Sequence, residues 1–336
     1  MKLRWRRRLI GFGICCSVFL GIAFSLDSLR LGVWDLAVSQ WMAGIRTPWL
    51  TLLMQGFTAL CSPLMLLVIC LVLMFLYRHK NYSIPIAINL MVSVSLNDAL
   101  KNLFLRDRPP LALRAIAETG YSFPSGHAMA AAAFYGFLMY LVWQSAWPVR
   151  RKRRTALLLG LLIVLVAGSR VYLGVHYLSD VVAGLAVATG YLIAYATVVG
   201  LYLRSGPSEL NRDAPVQNKH IQDSFRHAWE GVAGGLKGER NMIVHFAAMA
   251  LVTVFGLLLH LTQGEWLACI ILFGVVIGME LMNTAIETVV DICMPVPDPR
   301  AKLAKDTAAV AVLLVSIAAA VAGGIIFLPK MLPMLR

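Results

Sequence analysis

Apolar residues in this chain fall in long, nearly uninterrupted blocks separated by short polar stretches. Nine blocks, at residues 9–26, 50–77, 84–100, 128–147, 156–171, 181–203, 243–261, 267–290 and 308–328, come close to or exceed the ~20 residues that a helix needs to cross a bilayer. None shows the two-residue alternation of a half-buried strand. Inside lipid the backbone must satisfy its own hydrogen bonds, so each block predicts a membrane helix and the whole chain an all-α integral membrane fold.

The polar stretches divide the chain. Residues 205–222 hold Gly206, Pro207 and Pro215 and predict a linker between residues 1–204 and 223–336. Beyond it, Ile221, Phe225, Trp229, Val232 and Leu236 recur at steps of four, four, three and four, the stripe of a helix lying on a membrane surface. Gly231, Gly234, Gly235 and Gly238 predict a break in that helix.

Composition agrees with a membrane protein: 59% of residues are hydrophobic and 14% charged. The net charge of +13 belongs to loops at membrane ends rather than to a nucleic-acid surface, and no nucleic-acid partner is expected. Basic clusters precede the first block (Lys2, Arg4, Arg6, Arg7, Arg8) and follow the second (Arg78, Lys80) and the fourth (Arg150, Arg151, Lys152, Arg153, Arg154). Alternation puts all three on one side, which the positive-inside rule makes cytoplasmic. The first block carries no small-x-small cleavage pattern and is expected to stay as an anchor. The six cysteines form no Cys-x-x-Cys pair and read as small packing residues.

Lys101, Arg106, Arg108 and Arg114 violate this charge rule by facing outward. They stand beside Pro124-Ser125-Gly126-His127 and the run Ser169-Arg170, His176, Asp180. Cations gathered at one end of membrane helices are costly unless an anion receives them, and guanidinium groups grip phosphate oxygens in pairs. His176 and Asp180 share a helix face, the spacing of an imidazole oriented by a carboxylate. Ser125 and Gly126 before a helix can offer N–H groups to an anion. Arg106 and Arg114 stand open between substrate contact and plain headgroup contact, and Asp98 reads as a local charge partner of Lys101.

The ordered set Lys-x6-Arg-Pro, Pro-Ser-Gly-His and Ser-Arg-x5-His-x3-Asp resembles the signature of the type 2 phosphatidic acid phosphatase (PAP2) superfamily over roughly residues 1–204, with six spans. The resemblance implies that His176 attacks phosphorus and forms a phosphohistidine, Asp180 orients it, and His127 protonates the leaving oxygen. It implies that Lys101, Arg108, Arg170, Ser125 and Gly126 hold the phosphoryl oxygens, with no metal.

In the eighth block Glu280, Asn283, Glu287 and Asp291 stand at steps of three, four and four on one helix face, where acids are costly and mark a site. Glu239 and Asn241, and Lys305 and Asp306, flank the neighbouring spans, and these oxygen ligands suit Mg²⁺ with nucleotide phosphates. No Walker-type Gly-x4-Gly-Lys-Ser/Thr occurs. Glu239-Arg240-Asn241, Glu280-x2-Asn283-x3-Glu287-x3-Asp291 and Ala304-Lys305-Asp306 resemble the small membrane kinases that include bacterial diacylglycerol kinase and undecaprenol kinase, over about residues 224–328. Val310 departs from the small Gly many of them have there. The resemblance implies a surface helix followed by three spans, and a homotrimer with sites between subunits. By it, Glu239 and Glu287 hold the Mg²⁺ of ATP, Glu280 is the base for a lipid hydroxyl, and Asn283, Lys305 and Asp306 bind the nucleotide.

The expected protein is a bifunctional enzyme of the bacterial cell membrane. An outward phosphatase site cleaves undecaprenyl pyrophosphate, and a cytoplasmic Mg-ATP-dependent site phosphorylates undecaprenol. The alternatives are a phosphatidate or phosphatidylglycerophosphate phosphatase joined to a diacylglycerol kinase, and a lipid transporter or scramblase built on enzyme-derived folds.

Overall fold

The computed structural model describes residues 2–77, 82–204, 240–294, 296 and 298–332. The predicted linker, the amphipathic stripe from Ile221 to Leu236, and Glu239 lie outside the described residues. Among the described residues every regular element is helical: α1 (Lys2–Phe24), α2 (Leu29–Gly44), α3 (Pro48–Ala59), α4 (Pro63–Leu76), α5 (Ser83–Phe104), α6 (Gly126–Gln144), α7 (Val149–Tyr172), α8 (Leu178–Arg204), α9 (Arg240–Leu258), α10 (Gln263–Cys293) and α11 (Pro299–Met331). Eight are long and apolar enough to cross a membrane, and the pair α3–α4, bent by 48°, would make a ninth.

The predicted single span over residues 50–77 is therefore broken. Pro63 has no N–H to continue the helical ladder and opens a new helix instead, while Cys61 and Ser62 donate to Thr58 O and Ala59 O in a tight turn. Helix α2 has no counterpart in the apolar blocks, because Arg30, Asp35, Ser39 and Gln40 interrupt it. Its buried residues are polar: Asp35 and Ser39, four apart, face inward.

The chain divides into two compact units, Met1–Val72 with Ile88–Gly200, and Leu73–Ala87 with Leu201–Arg336. In the first, outward faces are apolar and the inward ends of the helices are polar. Leu157, Leu158, Leu161 and Val164 on α7 are exposed, whereas Arg170 at its end is buried. That inversion is what a lipid solvent favours. Small residues let α6, α7 and α8 approach closely: Ala128, Ala167, Val171 and Val181 form one cluster, and Met129, Ala132, Ala133 and Ala188 another. One turn beyond His127, α6 widens into a π-helical turn over Ala131–Tyr135, all of it buried.

In the second unit α9 buries Met242, Phe246, Ala250 and Val254 at four-residue steps. Helix α10 packs on α9 and pairs along its length with α11. A capping box starts α10: the Thr262 Oγ1 accepts from the Glu265 N–H, and the Glu265 carboxylate accepts from the Thr262 N–H at 2.6 Å. Asp298 caps α11, with Pro299 at its first position.

Candidate active sites

The first site is built where α7 hands over to α8. Gly174 makes the turn possible: its φ is +70°, and a Cβ there would stand 2.0 Å from Leu113 O and 2.5 Å from Arg46 Nη2. Arg46 closes the same corner, donating to Tyr172 O at 2.8 Å and Leu113 O at 2.7 Å. The turn presents His176, 1% exposed, just before α8. Its Nδ1 lies 3.6 Å from Asp180 Oδ2, and its Nε2 lies 3.3 Å from Arg108 Nη1. The two ring nitrogens thus have different surroundings, an acid behind and a cation ahead.

Three cations surround the forward face. Arg108 donates from Nε to Thr119 O and Gly120 O, and from Nη1 to Val175 O, so its fork is fixed. Arg170 donates from Nη1 to Thr58 Oγ1 at 2.7 Å and from Nη2 to Glu118 Oε2 at 2.8 Å, leaving its buried Nε without a partner. Lys101, in the last turn of α5, feels the charges of Arg108, Glu118 and Arg170. His127 feels those of Arg170, His176, Lys101 and Arg108.

The start of α6 completes the arrangement. The Ser125 N–H donates to Asp180 O at 3.1 Å, while its buried Oγ has no partner. At Gly126 a Cβ would come within 2.8 Å of Asn97 Oδ1, and Asn97 Nδ2 donates to Pro124 O, so the Pro-Ser-Gly-His segment rests directly on α5. Lys101, Arg108, Ser125, Gly126, His127, Arg170, His176 and Asp180 are therefore brought together. The unpartnered Ser125 Oγ and Arg170 Nε match an anion with several acceptor oxygens.

The electrostatics fit that guest. Burial, then the charges of Arg170, Arg108 and Lys101, hold the His176 imidazole well below its ordinary pKa of 6.5, so the ring is neutral. Burial pushes the Arg108 guanidinium down to about 10, with Arg170 adding to the effect and Glu118 opposing it. Glu118 is held low: burial would raise it, but Arg170 and Arg108 outweigh that.

Asp35 and Glu118 carry no signal in the sequence, and they claim cations of this site. Arg106, open in the sequence between substrate and headgroup contact, has its guanidinium paired with Asp180 Oδ1 and with Asp35 Oδ2 at 2.8 Å. Burial alone would lower its pKa, but Asp180 and Asp35 raise it. Asp35 also accepts from the Ser179 N–H at 3.1 Å. Arg114 likewise turns inward, donating to Pro109 O and Glu118 O. Asp98 accepts from Asn102 at 3.2 Å as well as acting on Lys101.

The second site lies on α10. Glu280 and Asn283 are buried, at 1% and 8% exposure, and Glu280 Oε2 and Asn283 Oδ1 have no partner. Asn283 Nδ2 donates to Glu287 Oε1 at 3.1 Å. Lys305 on α11 pairs with Asp291, while Asp306 is exposed. Glu280, Asn283 and Glu287 thus form one polar face, and Lys305 joins it through Asp291. No group of three His, Cys, Asp or Glu side chains among the described residues could hold a metal by itself. The hard oxygen donors fit a Mg²⁺ that keeps waters and phosphate oxygens in its shell, which needs only one or two protein carboxylates.

The PAP2 superfamily profile matches residues 82–204, and the profile of prokaryotic diacylglycerol kinase matches residues 226–327. Over 170 residues the chain is 35% identical to phosphatidylglycerophosphatase B of Bacillus subtilis, spanning 49% of this chain and 83% of that protein. Over 108 residues it is 41% identical to the undecaprenol kinase of Bacillus subtilis, spanning 32% of this chain and 88% of that protein. The crystal structure of a PAP2-type phosphatidylglycerolphosphate phosphatase from Bacillus subtilis superposes with a TM-score of 0.53 at 30% identity, covering 57% of this chain and 98% of that one.

Proposed function

Because this chain belongs both to the PAP2 superfamily and to the prokaryotic diacylglycerol kinase family, a lipid phosphatase joined to a lipid kinase, we propose that both activities serve one polyprenyl carrier. The phosphatase site hydrolyses undecaprenyl pyrophosphate to the monophosphate at the outer face of a bacterial plasma membrane. The kinase site makes the same product from undecaprenol and ATP at the cytoplasmic face. The observation that carries the phosphatase half is the buried His176, whose Nε2 lies 3.3 Å from Arg108 while Nδ1 lies 3.6 Å from Asp180.

In that reaction His176 Nε2 attacks phosphorus, the bond to the bridging oxygen breaks, and His127 gives that oxygen a proton. Lys101, Arg108, Arg170, the Ser125 hydroxyl and the Gly126 N–H hold the phosphoryl oxygens as charge shifts onto them. His127, now a base, takes a proton from water, which attacks phosphorus, breaks the P–N bond and frees inorganic phosphate.

In the kinase half, Glu287 with Glu239 would hold the Mg²⁺ of ATP, and Asn283, Lys305 and Asp306 the nucleotide. Bound Mg²⁺ neutralises charge on the transferring phosphates. Glu280, buried with a free carboxylate oxygen, accepts the proton of the lipid hydroxyl. A homotrimer would complete the site between subunits. The exposed apolar residues of α11, among them Leu313, Leu314, Ile317 and Val321, are compatible with helix packing as well as with lipid.

The identity to undecaprenol kinase supports the polyprenyl reading of the kinase. The identity to phosphatidylglycerophosphatase B favours a second reading of the phosphatase, glycerolipid phosphate hydrolysis. A substrate panel on purified full-length protein separates them: undecaprenyl pyrophosphate, undecaprenyl phosphate, phosphatidate and phosphatidylglycerophosphate without ATP, then undecaprenol and diacylglycerol with Mg-ATP. Fastest turnover of the pyrophosphate and of undecaprenol is expected. Preference for phosphatidylglycerophosphate and diacylglycerol would overturn the carrier reading.

A further inference from the structure

The cationic cradle of the first site already holds a carboxylate. Glu118 Oε2 accepts from Arg170 Nη2 at 2.8 Å, and Oε1 stands 3.8 Å from Arg108 Nη2. These are two of the three cations that would grip a phosphoryl group, and a carboxylate offers them a pair of oxygens much as a phosphate does. We propose that Glu118 is an internal competitor for the phosphoryl position: it rests on Arg170 and Arg108 when no phosphate is bound and yields them to the substrate. This rests on the reading of the cluster as the phosphoryl-binding site.

Electrostatics supply the reason for a competitor. Arg108 and Arg170 have side chains only 3% and 1% exposed, and buried charge without a counter-charge is costly. Asp180 is committed to Arg106, so among the described residues Glu118 is the carboxylate that pairs with both of these arginines. An incoming phosphate monoester or pyrophosphate carries more negative charge than one carboxylate and can take its place.

Local structure allows the exchange without moving the backbone. The Glu118 side chain is 28% exposed, far more than its partners, so one edge already faces outward. The main chain around it is pinned: Arg114 donates to Glu118 O, and Arg108 donates to Thr119 O and Gly120 O. Rotation of one side chain vacates the cradle while the loop keeps Arg108 in place. After hydrolysis the same rotation competes with inorganic phosphate and speeds its release.

A carboxylate that competes has a signature that structural pairing lacks: removing its charge must tighten anion binding. The test uses the full-length protein in detergent, with the lipid phosphate it hydrolyses fastest, inhibited by orthophosphate and orthovanadate. Glu118→Gln is expected to lower both inhibition constants and KM, each by about tenfold, equivalent to ~1.4 kcal/mol of binding, with kcat falling where phosphate release limits turnover. Glu118→Asp, which withdraws the charge from Arg170, is expected to lie between.

Unchanged or weakened inhibition in an active Glu118→Gln enzyme would overturn the proposal alone. A wild type that releases no phosphate from any lipid phosphate would remove the phosphatase reading together with it. Failure of both variants to give folded, monodisperse protein would make Glu118 a structural counter-ion and also overturn the proposal.

Discussion

His176 Nδ1 stands 3.6 Å from Asp180 Oδ2, and that same oxygen accepts the Tyr177 N–H at 2.9 Å. The carboxylate is therefore held by the backbone at the start of α8, close enough to steady an imidazolium or phosphohistidine forming beside it. Asp180→Asn keeps the shape and removes the charge. We expect kcat for lipid phosphate hydrolysis to fall by about 10²- to 10⁴-fold, with KM little changed, as measured by steady-state phosphate release.

Asp180 in turn depends on Arg106 and Asp35. Their network spans α2, the loop after α5 and the start of α8, and Asp35 and Asp180 are almost wholly buried. Breaking a buried pair by removing one partner typically costs roughly 3–5 kcal/mol. Arg106→Ala is expected to lower the melting temperature and reduce hydrolysis at least tenfold; Asp35→Asn is expected to do the same more mildly. Thermal unfolding in detergent beside the hydrolysis assay checks both. Full stability in Arg106→Ala would contradict the assignment.

The pH profile follows from His176. In the proposed mechanism the attacking ring must be neutral, and burial with Arg170, Arg108 and Lys101 lowers the His176 pKa below 6.5. As pH falls through 6.5 an ordinary histidine would become protonated, but this one stays neutral until the lowered value is passed. The acid limb of kcat/KM is therefore expected below pH 6.5, and Arg108→Gln, which removes one of those cations, should move it upward. An acid limb above pH 6.5 in the wild type would contradict this.

Gly174 is expected to tolerate no side chain. A Cβ would meet Leu113 O at 2.0 Å on a residue whose φ is +70°, so both space and backbone conformation forbid it. Gly174→Ala should displace the turn that carries His176, abolishing hydrolysis and lowering the melting temperature. Gly13→Ala, where nothing lies within 4 Å, serves as the neutral control.

The helices and the motif residues were legible in the sequence because each signal is local. Apolar blocks reveal spans, and the three-four-four spacing of Glu280, Asn283, Glu287 and Asp291 reveals a helix face. Asp35 and Glu118 were not legible. Asp35 meets Ser179 across 144 positions of chain, and Glu118 meets Arg170 across 52. Nothing near either one marks its partner. For the same reason the internal partners of Arg106 and Arg114, acids for one and backbone carbonyls for the other, could not be read from the sequence. The break at Pro63 shows that an apolar block long enough for one span need not form one straight helix.

We propose that hydrolysis and phosphorylation run at two chemically independent sites of this chain, one at His176 and one at Glu280. Wild type, His176→Ala and Glu280→Gln should each be assayed for lipid phosphate hydrolysis without ATP and for lipid alcohol phosphorylation with Mg-ATP, from the same preparations. We expect His176→Ala to lose hydrolysis and keep the kinase, and Glu280→Gln to lose the kinase and keep hydrolysis. Loss of both activities in either variant, or of neither in both, would rule out two separate sites at these residues.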